Sequence, residues 1–123
     1  MSGRTILVVD DDADLRGALA DALEDEGYAV ARAGDGFEAI DYLRSHSAPD
    51  LIVLDWMMPN CNGPCFRRLQ GEDPALRDIP VVVLTADVRI EEKLDETAPE
   101  TCLLKPAPLD LLLQVVERYV SEH

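Results

Sequence analysis

Carboxylates in this chain gather where apolar runs stop. Thr5-Ile-Leu-Val-Val9 gives way to Asp10-Asp11-Asp12, and Leu51-Ile-Val-Leu54 to Asp55. Val81-Val-Val-Leu84 ends on Thr85-Ala86, and Thr101-Cys-Leu-Leu104 ends on Lys105-Pro106. If Asp10, Asp11 and Asp55 meet, each pair repels by roughly 4 kcal/mol at about 4 Å with an effective dielectric near 20. Such a site needs counter-charge. A hard divalent cation with oxygen ligands, Mg²⁺ or Mn²⁺, supplies it, and no thiol or imidazole is placed to favour a softer metal. Lys105 supplies more. A cation beside a lysine is also what a transferring phosphoryl group requires, because its equatorial oxygens need electrostatic stabilisation. The plainer reading is that aspartates cap helices and close turns, and Asp12, just before a helix starting near Ala13, fits it. Carboxylates, a hydroxyl and an ammonium converging from four run ends do not fit it.

Convergence depends on the elements that carry these residues. The three strongest runs, at 5–9, 51–54 and 81–84, are rich in β-branched residues and lack polar alternation. Strands of that kind are buried on both faces, as in a parallel sheet covered by helices. Tyr28 to Ala33 and Thr101 to Leu104 are weaker runs, suited to sheet edges. Helical stripes lie between them: Leu15, Leu19, Ala22 and Leu23 before Gly27, then Ala39, Ile40 and Leu43 after Asp35-Gly36. Phe66 and Leu69 follow Asn62-Gly63-Pro64, and Leu109, Leu112, Leu113, Val116 and Val120 form the last stripe. A fourth, poorly apolar helix is expected from about Val88 to Glu96, stopped by Pro99. No linker or repeat interrupts this alternation. The expectation is one domain over residues 1–123, of α/β class, with five βα units forming a doubly wound five-stranded parallel sheet. Sites in such sheets lie at the carboxyl ends of the strands, where the polar residues above leave.

Composition narrows the function. The 123 residues are 47% hydrophobic, and 25 acidic against 11 basic residues give a formal charge of −14. That surface repels phosphate backbones and anionic lipid, so direct nucleic-acid binding is not expected. No apolar run comes near the ~20 residues of a membrane span, and the first one runs straight into three aspartates, unlike a secretory signal. A cytoplasmic protein without membrane insertion is expected. Three cysteines without a signal peptide point to reduced thiols acting as small apolar filler, and neither His46 nor His123 completes a zinc site with Cys61 and Cys65.

Taken together, Val8-Val9-Asp10-Asp11, Asp55-x-x-Met58-Pro59 followed by Gly63, Thr85-Ala86 and Lys105-Pro106 resemble the signature of two-component response-regulator receiver domains, the CheY-like family. The resemblance covers essentially the whole chain. It implies a flavodoxin-like (βα)5 fold of strand order 2-1-3-4-5, which sets Asp10 and Asp11 beside Asp55. It also implies that Asp55 is the phosphoacceptor. Asp11, Asp55 and the Met57 carbonyl would bind Mg²⁺, with Asp10 binding directly or through water. Lys105 and Thr85 would contact phosphoryl oxygens, and the backbone N–H groups of Trp56 and Ala86 would complete the cradle. The Lys105-Pro106 bond would be cis. The donor would be a sensor histidine kinase or a histidine phosphotransfer protein, and the output would pass to a downstream protein target. Receivers catalyse their own phosphorylation and slow dephosphorylation, so no conventional turnover enzyme is expected.

The chain departs from the family at three places. Cys102 stands where receivers commonly carry an aromatic lever. The stretch between Thr85 and Lys105 is shorter than in better-known members. Ala107 stands where Phe usually follows Lys-Pro. Phosphorylation chemistry is untouched by these changes; the output route is not. Met1 favours a native start, and the chain reads as a stand-alone receiver or a piece of a longer protein. The alternatives are a phosphorylation-independent pseudo-receiver and an enzyme on the same fold. A flavin site is disfavoured because Asp10 to Asp12 would repel its phosphate. An aspartyl phosphatase is disfavoured because Met57 stands where its second Asp belongs.

Overall fold

The computed structural model describes residues 4–86, 101–105 and 108–122. Its elements run β1 (Thr5–Val9), α1 (Ala13–Asp25), β2 (Ala29–Ala33), α2 (Gly36–Ser45), β3 (Leu51–Asp55), α3 (Gly63–Glu72), β4 (Val81–Thr85), β5 (Thr101–Leu104) and α4 (Leu109–Glu122). The five strands form one sheet of order β2-β1-β3-β4-β5, and every neighbouring pair is parallel. This is the doubly wound α/β architecture expected from the sequence, with the two weaker strands at the edges.

The unbroken apolar strands are explained by what covers them. Leu7, Val9, Ile52, Leu54, Val81 and Val83 pack on one face with Ala39, Ile40 and Leu43 of α2 and Phe66 of α3. Their alternates Ile6, Val8, Leu51, Val53, Val82 and Leu84 pack on the other with Leu19 and Leu23 of α1 and Leu112, Val116 and Val120 of α4. Successive strand residues thus serve opposite cores. Each fully buried Val, Leu or Ile contributes about 1.5–3 kcal/mol relative to exposure, which holds β1, β3 and β4 rigidly at the centre.

Helix ends follow local chemistry. The Asp12 carboxylate accepts from Asp14 N and Leu15 N at 3.0 and 3.1 Å, so Asp12 has the capping role read from the sequence. Gly27 ends α1 at φ 99°, a conformation open to glycine. Asp35 caps α2 and Asn62 caps α3, whose first turn carries Pro64. The last stripe needs one correction. Leu109 is 45% exposed, and Leu112, Val116 and Val120 carry the buried face at four-residue spacing. The expected helix at 88–96, the Lys105-Pro106 bond and Ala107 lie outside the described residues. Among the described residues no helix is long and apolar enough to cross a membrane.

The cysteines differ from the sequence expectation. Cys61 and Cys65 form a disulfide, with Cα atoms 5.2 Å apart. Cys61 immediately precedes the Asn62 cap and Cys65 lies in the first turn of α3, so the helix start brings the two side chains to one side. Parity of the cysteine count bears on compartment; it says nothing about proximity. Cys102 takes no part in the bridge and packs at the margin of the core beneath α2 and α3.

Candidate functional site

Sheet register builds the site. Val9 pairs with Leu54, so Asp10 and Asp55 leave adjacent strands side by side. Asp55 pairs with Leu84 and Thr85 with Leu104, which brings Thr85 and Lys105 to the same edge. Asp10 is 1% exposed, Asp55 4% and Thr85 fully buried, although all three are polar. Such burial is tolerated only with partners. Lys105 supplies one: its Nζ lies 3.1 Å from Asp55 Oδ1 and 3.4 Å from Asp10 Oδ2. The Lys105 backbone N–H donates to the Thr85 carbonyl at 2.7 Å, fastening the lysine's base to the end of β4. Asp10 is held twice more. Its Oδ1 accepts from Asp12 N at 2.9 Å, and its carbonyl accepts from the Arg16 guanidinium at 2.7 Å.

Asp10, Asp11 and Asp55 each offer a carboxylate oxygen within 4.8 Å of the others. Among the described residues no other group of carboxylates, imidazoles or thiols gathers in this way. Burial, and next the Asp10 charge, push the pKa of the Asp55 carboxyl from 3.8 up to about 6, against the opposing pull of Lys105 and the Met57 backbone N–H. Burial is also the largest single influence on Lys105 and draws its pKa down. Asp55 and Asp10 together override that influence, so the lysine's pKa ends above its ordinary value. The pocket therefore holds more negative charge than one ammonium balances. An all-oxygen donor set with surplus negative charge and an exposed Asp11 at its mouth fits a hard divalent cation.

The backbone cradle differs in one position from the expectation. Trp56 N–H donates to the Leu84 carbonyl at 2.9 Å, extending the β3–β4 ladder one residue past Asp55. It is thus committed to the sheet, and the N–H on the Asp55 carboxylate is that of Met57. Met57 and Ala86 are exposed at the strand ends that carry Asp55 and Thr85, on the rim of the pocket.

The contacts that shape the loop after Asp55 join residues distant in sequence. Asn60 adopts φ 66°, a left-handed conformation that Asn tolerates better than most residues. Its side-chain amide donates to Asp35 Oδ2 at 3.0 Å, while Asp35 Oδ1 accepts from Glu38 N at 2.9 Å. The Glu38 N–H bond is the main cause holding the Asp35 carboxyl below its ordinary value, and Asn60 adds to it. Gly36 N–H donates to the Cys61 carbonyl at 2.9 Å, and Gly63 N–H to the Trp56 carbonyl at 2.9 Å. A Cβ on Gly63 would stand 2.2 Å from Trp56 Cε3, so the glycine lets α3 start against the indole. The Asn60-Cys-Asn-Gly63 run signals a turn; its pairing with Asp35 leaves no local signature.

Comparison with known proteins agrees with this geometry. The family model of the response regulator receiver domain matches residues 6–117. The phosphate regulon transcriptional regulatory protein PhoB of Klebsiella pneumoniae is 37% identical over 115 residues, covering 91% of this chain and 50% of that protein. Response regulator MprA of Mycobacterium tuberculosis is 40% identical over 111 residues, covering 88% of this chain and 46% of that protein. The chain thus spans about half the length of these relatives. Among solved structures, the signal receiver domain of a signal transduction histidine kinase from Syntrophus aciditrophicus superimposes with a TM-score of 0.87 at 33% identity, covering 97% of this chain and 91% of that one. A buried acidic pocket with its lysine at the carboxyl edge of a 2-1-3-4-5 sheet, together with these matches, makes this chain a member of the two-component response-regulator receiver family.

Proposed function

We propose that the chain accepts a phosphoryl group on Asp55 in a divalent-metal-dependent reaction. The observation that carries this reading is the buried Asp55 carboxylate, 3.1 Å from Lys105 and clustered with Asp10 and Asp11. Asp10, Asp11, Asp55 and the Met57 carbonyl would hold Mg²⁺ or Mn²⁺, which when bound neutralises phosphoryl oxygens. An Asp55 oxygen attacks phosphorus while the bond to the donor's leaving group breaks and that group keeps the electron pair. Lys105, already tethered to Asp55, follows the developing charge, because its ammonium can turn from a carboxylate oxygen to a phosphoryl oxygen over a short distance. Thr85 and the Ala86 N–H stand at the neighbouring strand end as further donors to that group. With its pKa raised to about 6, the metal-free acceptor is partly protonated near that pH, so a cation also serves to make it a nucleophile.

The donor in this reading is a phosphohistidine on a sensor kinase or phosphotransfer protein, and the acidic surface favours a protein target as output over nucleic acid. The names of the matched regulators and of the kinase-borne receiver are compatible with such an input. The activity is stoichiometric acceptance with slow self-hydrolysis, distinct from turnover catalysis. Incubation with acetyl phosphate and Mg²⁺ should add one phosphoryl group to the peptide containing Asp55, detected by mass spectrometry. Undiminished labelling of the same peptide in Asp55→Asn would refute the assignment.

A further inference from the structure

The bridge lies in the loop that begins at the acceptor. Cys61 is fully buried in the core cluster that also holds Trp56 and Met58, whereas Cys65 is half-buried on the first turn of α3. The two ends of the Trp56–Gly63 segment are closed by the Gly63–Trp56 backbone bond. Cys61 is the point where this loop grips α2. Its carbonyl accepts from Gly36 N–H, and its sulfur lies so near that a Cβ on Gly36 would stand 2.6 Å from it. Next to it, Asn60 holds its left-handed turn by the bond to Asp35.

We propose that Cys61 and Cys65 are a reversible thiol–disulfide site whose state tunes phosphoryl acceptance at Asp55 through this loop; the last step rests on the acceptor reading above. Once the bond is broken, the two sulfurs can no longer share bonding distance and must separate. Cys61 has no room toward Gly36, so the adjustment falls on Cys65 and the first turn of α3, or on the loop leading back to Asp55. The accessible member is also the one suited to react. Cys65 is half-buried while Cys61 is fully enclosed, so an external disulfide reaches Cys65 first; the Cys65 N–H is held by Asn62 Oδ1 at 3.0 Å, which fixes its place on the first turn of α3.

The exchange balances with a low-molecular-weight disulfide as oxidant. The Cys65 thiolate, its proton lost to solvent, attacks one sulfur of the external disulfide and expels a thiolate. The Cys61 thiolate then attacks the Cys65 sulfur of the mixed disulfide and expels the second. Two electrons and two protons pass from the cysteine pair to the external disulfide, which leaves as two thiols; a dithiol reverses the sequence. The bridged form holds the loop pre-set beside Asp55, so reduction slows acceptance.

The test uses the whole chain equilibrated with glutathione disulfide or dithiothreitol, freed of the reagent, alkylated with N-ethylmaleimide in denaturant so that buried thiols react, and read by peptide mass spectrometry, with Cys102 as the internal alkylation reference. Cys61 and Cys65 should carry two labels after dithiothreitol and none after glutathione disulfide. Trp56 emission should shift between the two states. Acetyl phosphate labelling of the reduced protein should be slower by about fivefold or more, the low end of ordinary coupling between sites. Cys65→Ser, with Cys65→Ala as a second variant, should match the reduced protein and ignore oxidant. Two labels persisting after glutathione disulfide would overturn the site. A bridge that forms and breaks with Trp56 emission and labelling rate both unchanged would overturn the coupling. A redox-dependent Trp56 signal with no phosphoryl labelling in either state would overturn the acceptor reading and uphold the redox site.

Discussion

Charge at Asp55 opposes folding, and its removal should stabilise the metal-free protein. The carboxyl titrates near 3.8 when unperturbed and near 6 in the fold, raised by burial and the Asp10 charge. A rise of that size corresponds to about 3 kcal/mol between the ionised and neutral forms. The sign follows from proton binding. Between the two values the native state holds the proton more tightly than the unfolded chain, so this group's contribution improves as pH falls from 6 toward 3.8. Above both values the carboxylate is charged in either state and the full cost stands. Below both it is neutral in either state and the cost vanishes. Asp55→Asn keeps the shape and removes the charge. In EDTA at about pH 8 the variant should exceed wild type by about 1–3 kcal/mol, the lower figure allowing for the lost Lys105 contact. Lys105 retains Asp10 at 3.4 Å, which limits that loss. The advantage should shrink through about pH 6 and disappear below about pH 4, measured by urea unfolding at constant m-value. Saturating Mg²⁺ should erase much of it by stabilising only wild type, about 2.7 kcal/mol at a hundred times Kd. Equal or lower stability of Asp55→Asn at about pH 8 in EDTA would refute the electrostatic account of the pocket.

Four further outcomes follow from named contacts. Mg²⁺ should change the emission of Trp56, the chain's single tryptophan, which directly follows the acceptor, and Asp11→Ala should abolish the change; calorimetric binding with a silent Trp56 would contradict the geometry. Gly63→Ala should destabilise by about 1–3 kcal/mol or more through overpacking against the buried Trp56 ring, read by thermal unfolding, and a neutral result would mean that the ring yields freely. Asp35→Ala should cost about 1 kcal/mol as a lost helix cap, plus the Asn60 contact. Because the Asp35 pKa is lowered, that contribution is present above about pH 4 and fades with acid, so the variant's deficit should narrow at low pH. Lys105→Met should raise the Asp55 pKa further and slow acetyl phosphate labelling by about 10²-fold, as loss of one charge-stabilising donor does.

The sheet was legible because its central strands are buried on both faces, and nothing but unbroken aliphatic runs satisfies that environment. The Asp12 cap was legible because its carboxylate acts on backbone groups within three residues of itself. Strand ends pointed to the site for the same reason: one fold rule converts position along a strand into position on an edge. What failed required knowledge of neighbours distant in sequence or of one residue's register. Nothing local to Asp35 or Asn60 announces a bond across 25 residues. Trp56 follows a strand that ends at Asp55, yet its N–H still joins the ladder to β4, leaving Met57 to face the carboxylate. Leu109 matches the stripe in spacing, but it stands at the start of α4, beyond the edge of what the sheet covers. The disulfide was missed because counting cysteines addresses redox environment, while bridge formation depends on which side of a helix start each sulfur takes.

Balance of charge connects the pocket to whatever it signals. Three carboxylates against one ammonium leave two negative charges, which a divalent cation cancels. A phosphoryl group on Asp55 would carry about −1.5 to −2 in place of the carboxylate's single charge, and so would bring back about half of that excess or less. That excess acts first on the donors nearest to it, Lys105 and Thr85, and these two are not independent. The Lys105 N–H is bonded to the Thr85 carbonyl at 2.7 Å, so a shift of either end carries the other with it. Cys102 pairs with Val83, deeper in the same strand pair, and its side chain is too small to convert such a shift into a swing at the surface. Beyond the shared β4–β5 end, the loop from Asp55 to Cys61 is the other structure attached directly to the acceptor, and it is fastened to α2 through Asp35 and Gly36. If Asp55 accepts a phosphoryl group, strain at that position would reach α2 through this loop's bonds to Asp35 and Gly36, and the Cys61–Cys65 bridge ties the same loop to α3.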